Sequence, residues 1–142
     1  MITGVEIDMV VKDSIKALEF YEKIFEVERV EVSDLGDKGS EAVFTIYGVR
    51  FHLLNENPEF MLFAPKEGDA KPMWLNVSVA DIAKTFEAAL ENGCTVIFPV
   101  QDMPDFGVKN AMFTDIWGYN WMLHQIDKIV SHEERLRIIS EQ

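Results

Sequence analysis

The sequence predicts an α+β fold built from two β-α-β-β-β halves and a C-terminal helix. Two observations predict it. An alternating apolar run reaches an aspartate and turns into an amphipathic helix around Asp13, and the same pattern recurs 68 positions later around Asp81. Three segments with strand periodicity follow each helix. One half is too short to bury a good core alone, so two halves that share one domain are the economical interpretation.

In the first half, residues 4–12 alternate in hydropathy and predict a strand. Asp13 can cap a helix that runs to about residue 27. Turn residues then separate three further strands, which are predicted at 28–34, 41–47 and 49–55.

The second half repeats this order after a connection rich in proline, residues 56–72, with a short ordered stretch at 60–63. A strand at 73–79 leads to Asp81 and to a helix that Asn92-Gly93 should end. Strands are predicted near 94–99, 110–115 and 119–125, with a loop at 101–107. We therefore expect one domain over 1–127, with modules at about 3–55 and 73–125. A tail over 128–142 carries a helix after the capping box that begins at Ser131.

Composition excludes several classes of function. The formal net charge is −12, which argues against nucleic acid because phosphate binding needs clustered Lys and Arg. No apolar run is long enough for a membrane helix, and no signal peptide is visible. Cys94 is the single cysteine, so no intramolecular disulfide is possible. We expect a cytoplasmic protein with neither nucleic acid nor membrane as partner.

Sorting the outer strands of each half by alternation separates apolar faces from mixed faces. The apolar faces should pack under the helices, and the mixed faces should line a shared concavity. Apolar walls with a few convergent polar groups suit a small-molecule ligand, although ordinary half-exposed sheets show the same pattern. The residues of the mixed faces are Glu6, Asp8, Arg50, His52, Trp74, Asn76, Asn120, Met122 and His124. Arg50 could pair with Glu6 or Asp8, or receive an anionic substrate.

Two stretches resemble the vicinal-oxygen-chelate superfamily of glyoxalases, bleomycin-resistance proteins and extradiol dioxygenases, and within it the PhnB-like branch. One stretch holds Val11-Lys12-Asp13, Ala17, Phe20-Tyr21 and Phe25, and the other runs from Asp115 to Leu123 with an Asp-x-x-Gly-x-x-Trp pattern. The resemblance covers about residues 3–126. It implies paired βαβββ modules that form a curved mixed sheet around a cleft, and a homodimer.

The resemblance also implies four metal-ligand positions, which here hold Glu6, His52, Trp74 and Met122. Glu6 and His52 suit a divalent metal such as Zn, Ni, Mn or Fe. An indole cannot ligate, and a thioether suits hard divalent ions poorly. The metal site is therefore expected to be degenerate. Asp8 and His124 lie one pleat along the same faces and could build a displaced site.

The favoured hypothesis is a PhnB-like protein that binds a small organic molecule in the cleft without a metal cofactor. One alternative is a divalent-metal-dependent lyase, isomerase or dioxygenase in which Glu6 and His52 are the catalytic pair. A second alternative is an interaction module without ligand chemistry, assembled through its tail helix. Leu136, Ile138 and Ile139 of that helix need burial, against this chain or a second subunit.

Overall fold

The structure, a computed structural model, describes residues 2–142, and for Asp37 it describes the backbone. The chain divides into two compact units, Met1–Ala70 and Lys71–Gln142, and the boundary falls inside the predicted connection. Each unit contains a four-stranded mixed sheet and a helix that packs on it. Within the described residues, no helix is both long and apolar enough to cross a membrane.

The sheet of the first unit has the strand order β1-β4-β3-β2. β1 runs parallel to β4, and the other pairs are antiparallel. Its elements are β1 (Ile7–Val11), α1 (Ser14–Ile24), β2 (Val27–Ser33), β3 (Glu41–Ile46) and β4 (Val49–Asn55).

The second unit repeats this topology with the order β5-β8-β7-β6, and β5 runs parallel to β8. Its elements are β5 (Leu75–Ser78), α2 (Ile82–Glu91), β6 (Thr95–Met103), β7 (Val108–Thr114), β8 (Asn120–Ile126) and the tail helix α3 (His132–Ser140). The predicted α+β fold of two βαβββ modules and a C-terminal helix is confirmed.

The repeated aspartate is the N-cap of the main helix in both units. Asp13 Oδ1 accepts from the backbone N–H of Lys16 at 3.0 Å, and Asp81 Oδ1 accepts from Lys84 at 3.1 Å. Such caps satisfy a backbone donor that the helix cannot satisfy itself.

A side chain from the last strand of each unit's sheet satisfies one more helix donor. Asn55 accepts from Ser14 N at 2.8 Å, and Gln125 accepts from Ile82 N at 2.9 Å. The two units thus anchor their helices in the same way, which accounts physically for the sequence repeat.

The apolar strand faces lie under the helices, as the alternation predicted. Met9, Val11, Phe51 and Leu53 are buried in the first unit, and Val79, Trp121 and Leu123 are buried in the second. The prediction was wrong at the two strand entries, where Val5 and Met73 are exposed. β1 and β5 begin only at Ile7 and Leu75, so these two side chains have no strand partner to pack beside.

The loop predicted at 101–107 is also wrong in its first half. β6 continues to Met103, because Gln101, Asp102 and Met103 pair with Asn110, Lys109 and Val108 across a hairpin. The turn is a short 3₁₀ segment, Pro104–Phe106, that ends at Gly107 in the left-handed conformation. Polar composition predicted a loop here, but strand pairing overrides it.

The tail helix forms where its capping box predicted, since Ser131 Oγ accepts from Glu134 N at 3.1 Å. None of its residues is buried, and Leu136 and Ile139 are more than half exposed. Of the two partners that the sequence allowed for this apolar face, burial against this chain is therefore wrong for Leu136 and Ile139. Burial of the face against a second subunit stays a prediction.

Candidate functional site

Four polar residues of the first unit share one face of its sheet. Asp8 lies opposite His52 in the parallel pairing of β1 and β4, and alternation puts Arg50 on the same face. Glu6 directly precedes β1. Phe51 and Leu53, which alternate with these residues in β4, are on the buried face. We call Glu6, Asp8, Arg50 and His52 the Glu6 cluster.

Both carboxylate oxygens of Glu6 are occupied by side chains of the same unit. Arg50 Nε donates to Oε2 at 2.7 Å, and His52 Nδ1 lies 2.9 Å from Oε1. An ionised carboxylate only accepts hydrogen bonds, so Nδ1 is the protonated nitrogen of this contact. Arg50 therefore pairs with Glu6, the first of the two partners that the sequence allowed.

These contacts separate the pKa values of two neighbouring carboxyl groups. The hydrogen bond from Arg50 is the largest of the effects that lower the pKa of Glu6 to about 2, and contacts with Asp8 and His52 add to it. Partial burial, and then the nearby Glu6, raise the pKa of Asp8. Neighbouring acids with separated pKa values are the arrangement that proton transfer uses.

Replacing Glu6 with Gln should make the free energy of unfolding less dependent on pH in the acidic range. A carboxyl whose pKa falls on folding stabilises the protein above its ordinary pKa, here 4.5, and this contribution is lost as the pH falls to about 2. Asp8 has the opposite sign and offsets part of it. We expect wild type to exceed Glu6→Gln in stability at pH 7 and the difference to shrink between pH 4.5 and about 2.

Urea unfolding at several pH values measures this difference. The matched control is Glu91→Gln, at the exposed C-terminal end of α2. A gap between wild type and Glu6→Gln that stays constant over this pH range would contradict the Arg50–Glu6 contact as its source.

The imidazole of His52 lies among three carboxylates. Asp8 Oδ1 is 3.8 Å from Nδ1, and Glu41 Oε2 is 3.4 Å from Nε2. The contact with Glu41 lacks hydrogen-bond geometry, and the buried Nε2 has no hydrogen-bond partner among the described residues. A buried polar atom without a partner is costly and calls for an explanation. A ligand donor that takes the place of the Glu41 carboxylate, whose side chain is 48% exposed, would satisfy it.

The first unit contains a cavity of about 860 Å³, and none of the four residues of the Glu6 cluster lines it. Its wall includes Asp13 and Asn55, whose side chains hold the N-terminus of α1. Lys12, Lys16 and several acidic groups make the rest of the wall strongly polar. The Glu6 cluster is the better candidate site, because some polar groups of this cavity already hold the N-terminus of α1.

The second unit contains the remaining residues of the predicted site. His124 Nδ1 lies 2.7 Å from Asn76 Oδ1, and Met122 is opposite Asn76 in the strand pairing. Asn120 accepts from Thr114 Oγ1 at 2.6 Å and so links β7 to β8. Trp74 precedes β5 and is half exposed. The unit thus joins Asn76 to His124, while Asn120 is engaged within the sheet.

Comparison with known proteins identifies the family. The family model for the Glyoxalase/Bleomycin resistance protein/Dioxygenase superfamily matches residues 5–123. The chain belongs to this superfamily. The superfamily that the sequence resemblance indicated is therefore confirmed.

Individual proteins and solved structures are also similar to this chain. An uncharacterised protein of Mycobacterium bovis is 28% identical over 94% of this chain and 90% of its own length. The fosfomycin resistance protein FosX from Listeria monocytogenes has a TM-score of 0.65 at 20% identity, covering 95% of this chain and 99% of its own. A PhnB protein from Bacillus cereus has a TM-score of 0.64 at 20% identity, covering 87% and 99%. At these identities, the solved structures show a shared fold.

The superfamily implies a metal, and the residues present fit one poorly. Glu6, Asp8 and His52 each offer a ligand atom, and these atoms lie within 4.8 Å of one another. However, the Arg50 guanidinium already lies against Glu6, and a divalent cation there would meet its positive charge. The two family positions in the second unit hold Trp74 and Met122, which do not suit such an ion. The expected degeneracy of the metal site stays a prediction.

The closing motif of the superfamily resemblance has a structural role in this chain. The side chain of Asp115, 5% exposed, accepts from the backbone N–H of Trp117 and Tyr119 and from the indole of fully buried Trp121. Gly118 lies in the turn with a φ of 96°, which favours glycine. The motif thus marks how β7 connects to β8 rather than a catalytic group.

Sequence reasoning missed two charged residues beside the candidate sites. Glu41 approaches His52 from β3, and Arg135 of α3 lines a cavity in the second unit. Glu41 could have been found, because Val43 pairs with His52 and alternation puts Glu41 on the same face. Arg135 could not, since sequence pattern does not tell which surface a tail helix covers.

Proposed function

We propose that this glyoxalase-superfamily protein binds a small organic molecule at the Glu6 cluster without a resident divalent metal. The observation that carries the proposal is the occupation of both Glu6 oxygens, by Arg50 at 2.7 Å and by His52 at 2.9 Å. A carboxylate paired in this way acts as a support that orients the imidazole, not as an open metal ligand.

The polar groups of the cluster that are not already paired indicate which hydrogen-bonding groups the ligand carries. The Asp8 side chain is 53% exposed and accepts hydrogen bonds when ionised. His52 Nε2 is buried and has no hydrogen-bond partner among the described residues, so it contacts a ligand only when the Glu41 side chain moves aside. We infer a ligand with hydrogen-bond donors, such as an amine or an alcohol.

His52→Ala should weaken this binding by about tenfold or more while leaving the fold intact, since a hydrogen bond within a charged network is worth roughly 1.5–3 kcal/mol. A library of small amines and polyols, screened by thermal shift and then titrated by calorimetry, measures the effect. His132→Ala, at the exposed start of α3, is the matched control. Equal affinity of wild type and His52→Ala for every hit would exclude the Glu6 cluster as their site.

A metal-dependent enzyme is the second candidate, favoured by the convergence of Glu6, Asp8 and His52. A structure of Listeria FosX that is complexed with Mn(II) and sulfate resembles this chain with a TM-score of 0.64 at 21% identity. In the present chain, a metal at these three residues would have to compete with Arg50 for Glu6.

Metal analysis separates the two candidates. Protein purified without an affinity tag is analysed for metal and then titrated with Zn²⁺, Ni²⁺, Mn²⁺ and Fe²⁺ while its melting temperature is followed. We expect no stoichiometric metal, and the same small shifts in wild type and in a Glu6→Ala/His52→Ala variant. One equivalent of metal, lost in that variant, would overturn the metal-free proposal in favour of the enzyme.

A further inference from the structure

We propose that the second unit carries its own binding site for a small organic acid with an apolar body, which Arg135 of the tail helix holds by its acid group. The site is formed by one face of the β5-β8-β7 sheet and by α3. It goes beyond the function proposed above, because none of its residues belongs to the Glu6 cluster.

The size of the cavity suits such a ligand. It has a volume of about 420 Å³, and all of its lining residues lie between Asn76 and Arg135. Small-molecule sites have volumes of roughly 300–1,000 Å³. The cavity is therefore large enough for a compact organic molecule and is complete within one unit.

The charge of the lining favours an anion. The chain has 25 acidic residues and a net charge of −12, yet no Asp or Glu lines this cavity. Arg135 is its one charged lining residue, and its side chain forms no ion pair among the described residues. By contrast, Arg137 on the same helix is paired with Glu134 and Glu141. A guanidinium left unpaired beside a cavity is suited to hold a carboxylate through two hydrogen bonds.

Much of the remaining wall is apolar, and one of its polar side chains is already engaged. Met103, Phe106, Val108 and Ile126 supply the apolar surface. Asn110 contacts Met103 Sδ at 3.3 Å and accepts from Gln101 at 2.8 Å, so its amide is engaged within the hairpin. Apolar side chains around one cation match an acid group carried on a hydrocarbon or aromatic body.

His124 lines the wall together with the polar residues Asn76 and Ser78. Its Nδ1 is engaged by Asn76 at 2.7 Å, which leaves Nε2 for a ligand. Burial lowers the pKa of His124, so its imidazole is neutral at pH 7 and Arg135 supplies the positive charge. A neutral Nε2 beside this charge favours an acid that also carries a donor, such as a hydroxyl group.

A set of aryl and alkyl carboxylates, each with its uncharged amide, tests the site on the full chain by calorimetry. We expect at least one acid, with 4-hydroxyphenylacetate as the first probe, to bind at one equivalent and at least about tenfold more tightly than its amide. Arg135→Gln should remove this preference, whereas Arg137→Gln should leave it unchanged. Methyl signals of Met103 should shift on binding.

The Glu6→Ala/His52→Ala variant distinguishes this proposal from the previous one. Acid binding should persist in it, even if the Glu6 cluster binds nothing. The proposal is overturned if no carboxylate in the set binds more tightly than its amide. It is equally overturned if Arg135→Gln leaves that preference intact, or if binding depends on Glu6 and His52.

Discussion

Asp115→Ala is expected to lower the free energy of unfolding by about 3 kcal/mol or more, because it removes the acceptor of three hydrogen bonds at once. Asp115 Oδ1 accepts from Trp117 N at 2.8 Å and Tyr119 N at 3.0 Å, and Oδ2 accepts from Trp121 Nε1 at 2.8 Å. Trp121 is fully buried, so its indole N–H would lose its partner where water cannot easily replace it.

Denaturant unfolding followed by tryptophan fluorescence measures this loss. Asp115→Asn keeps an acceptor for the turn but can face the indole with its amide group, so we expect an intermediate loss. Asp127→Ala is the control, since it removes an exposed ion pair with Lys109 and an exposed hydrogen bond from Gln125, and solvent-exposed ion pairs contribute little to stability. If Asp115→Ala is no more destabilising than Asp127→Ala, the motif does not stabilise the unit through these bonds.

Gly107→Ala should destabilise the second unit by about 2 kcal/mol or more, from backbone strain and a steric clash together. Gly107 has a φ of 67°, and a Cβ atom built there would overlap the carbonyl oxygen of Lys128. That segment cannot move away freely, because the backbone N–H groups of Asp127 and Lys128 both donate to Gly107 O.

The control for this variant is Gly68→Ala, because Gly68 has a φ of 85° and nothing within 4 Å of its Cβ position. Both variants carry the strain of a positive φ, so the difference between their unfolding free energies isolates the clash. We also expect Gly107→Ala to weaken acid binding, since residues 127 and 128 lead into the helix that carries Arg135. Equal losses of unfolding free energy in the two variants would show that the backbone at Lys128 moves away from the new Cβ atom without a measurable loss of stability.

The sequence predicts the fold well, and the reason lies in local patterns. Asp13 and Asp81 cap helices that follow strands of period two, and both features act over a few residues. The errors lie where the pairing between strands, and not the local sequence, decides the structure. β6 runs on to Met103 because the hairpin partner, β7, is present, although its polar residues read as a loop.

The sequence predicts the candidate site in part, for the same reason. Alternation puts Glu6, Asp8, Arg50 and His52 on one sheet face, and the structure has these side chains adjacent. Their functional role stays a proposal. Whether Arg50 pairs with Glu6 or with Asp8 depends on the register of β1 against β4 and on side-chain reach, which sequence pattern does not contain.

The sequence by itself determined the two βαβββ modules, the helix caps and the face on which the polar residues lie, because each follows from local periodicity and capping chemistry. Only the tertiary structure decided that Arg50 neutralises Glu6, that Glu41 approaches His52 Nε2, and that Arg135 borders a cavity without acidic residues. Those relations join residues that are distant in the chain, and they depend on how strands pair and where the tail helix packs.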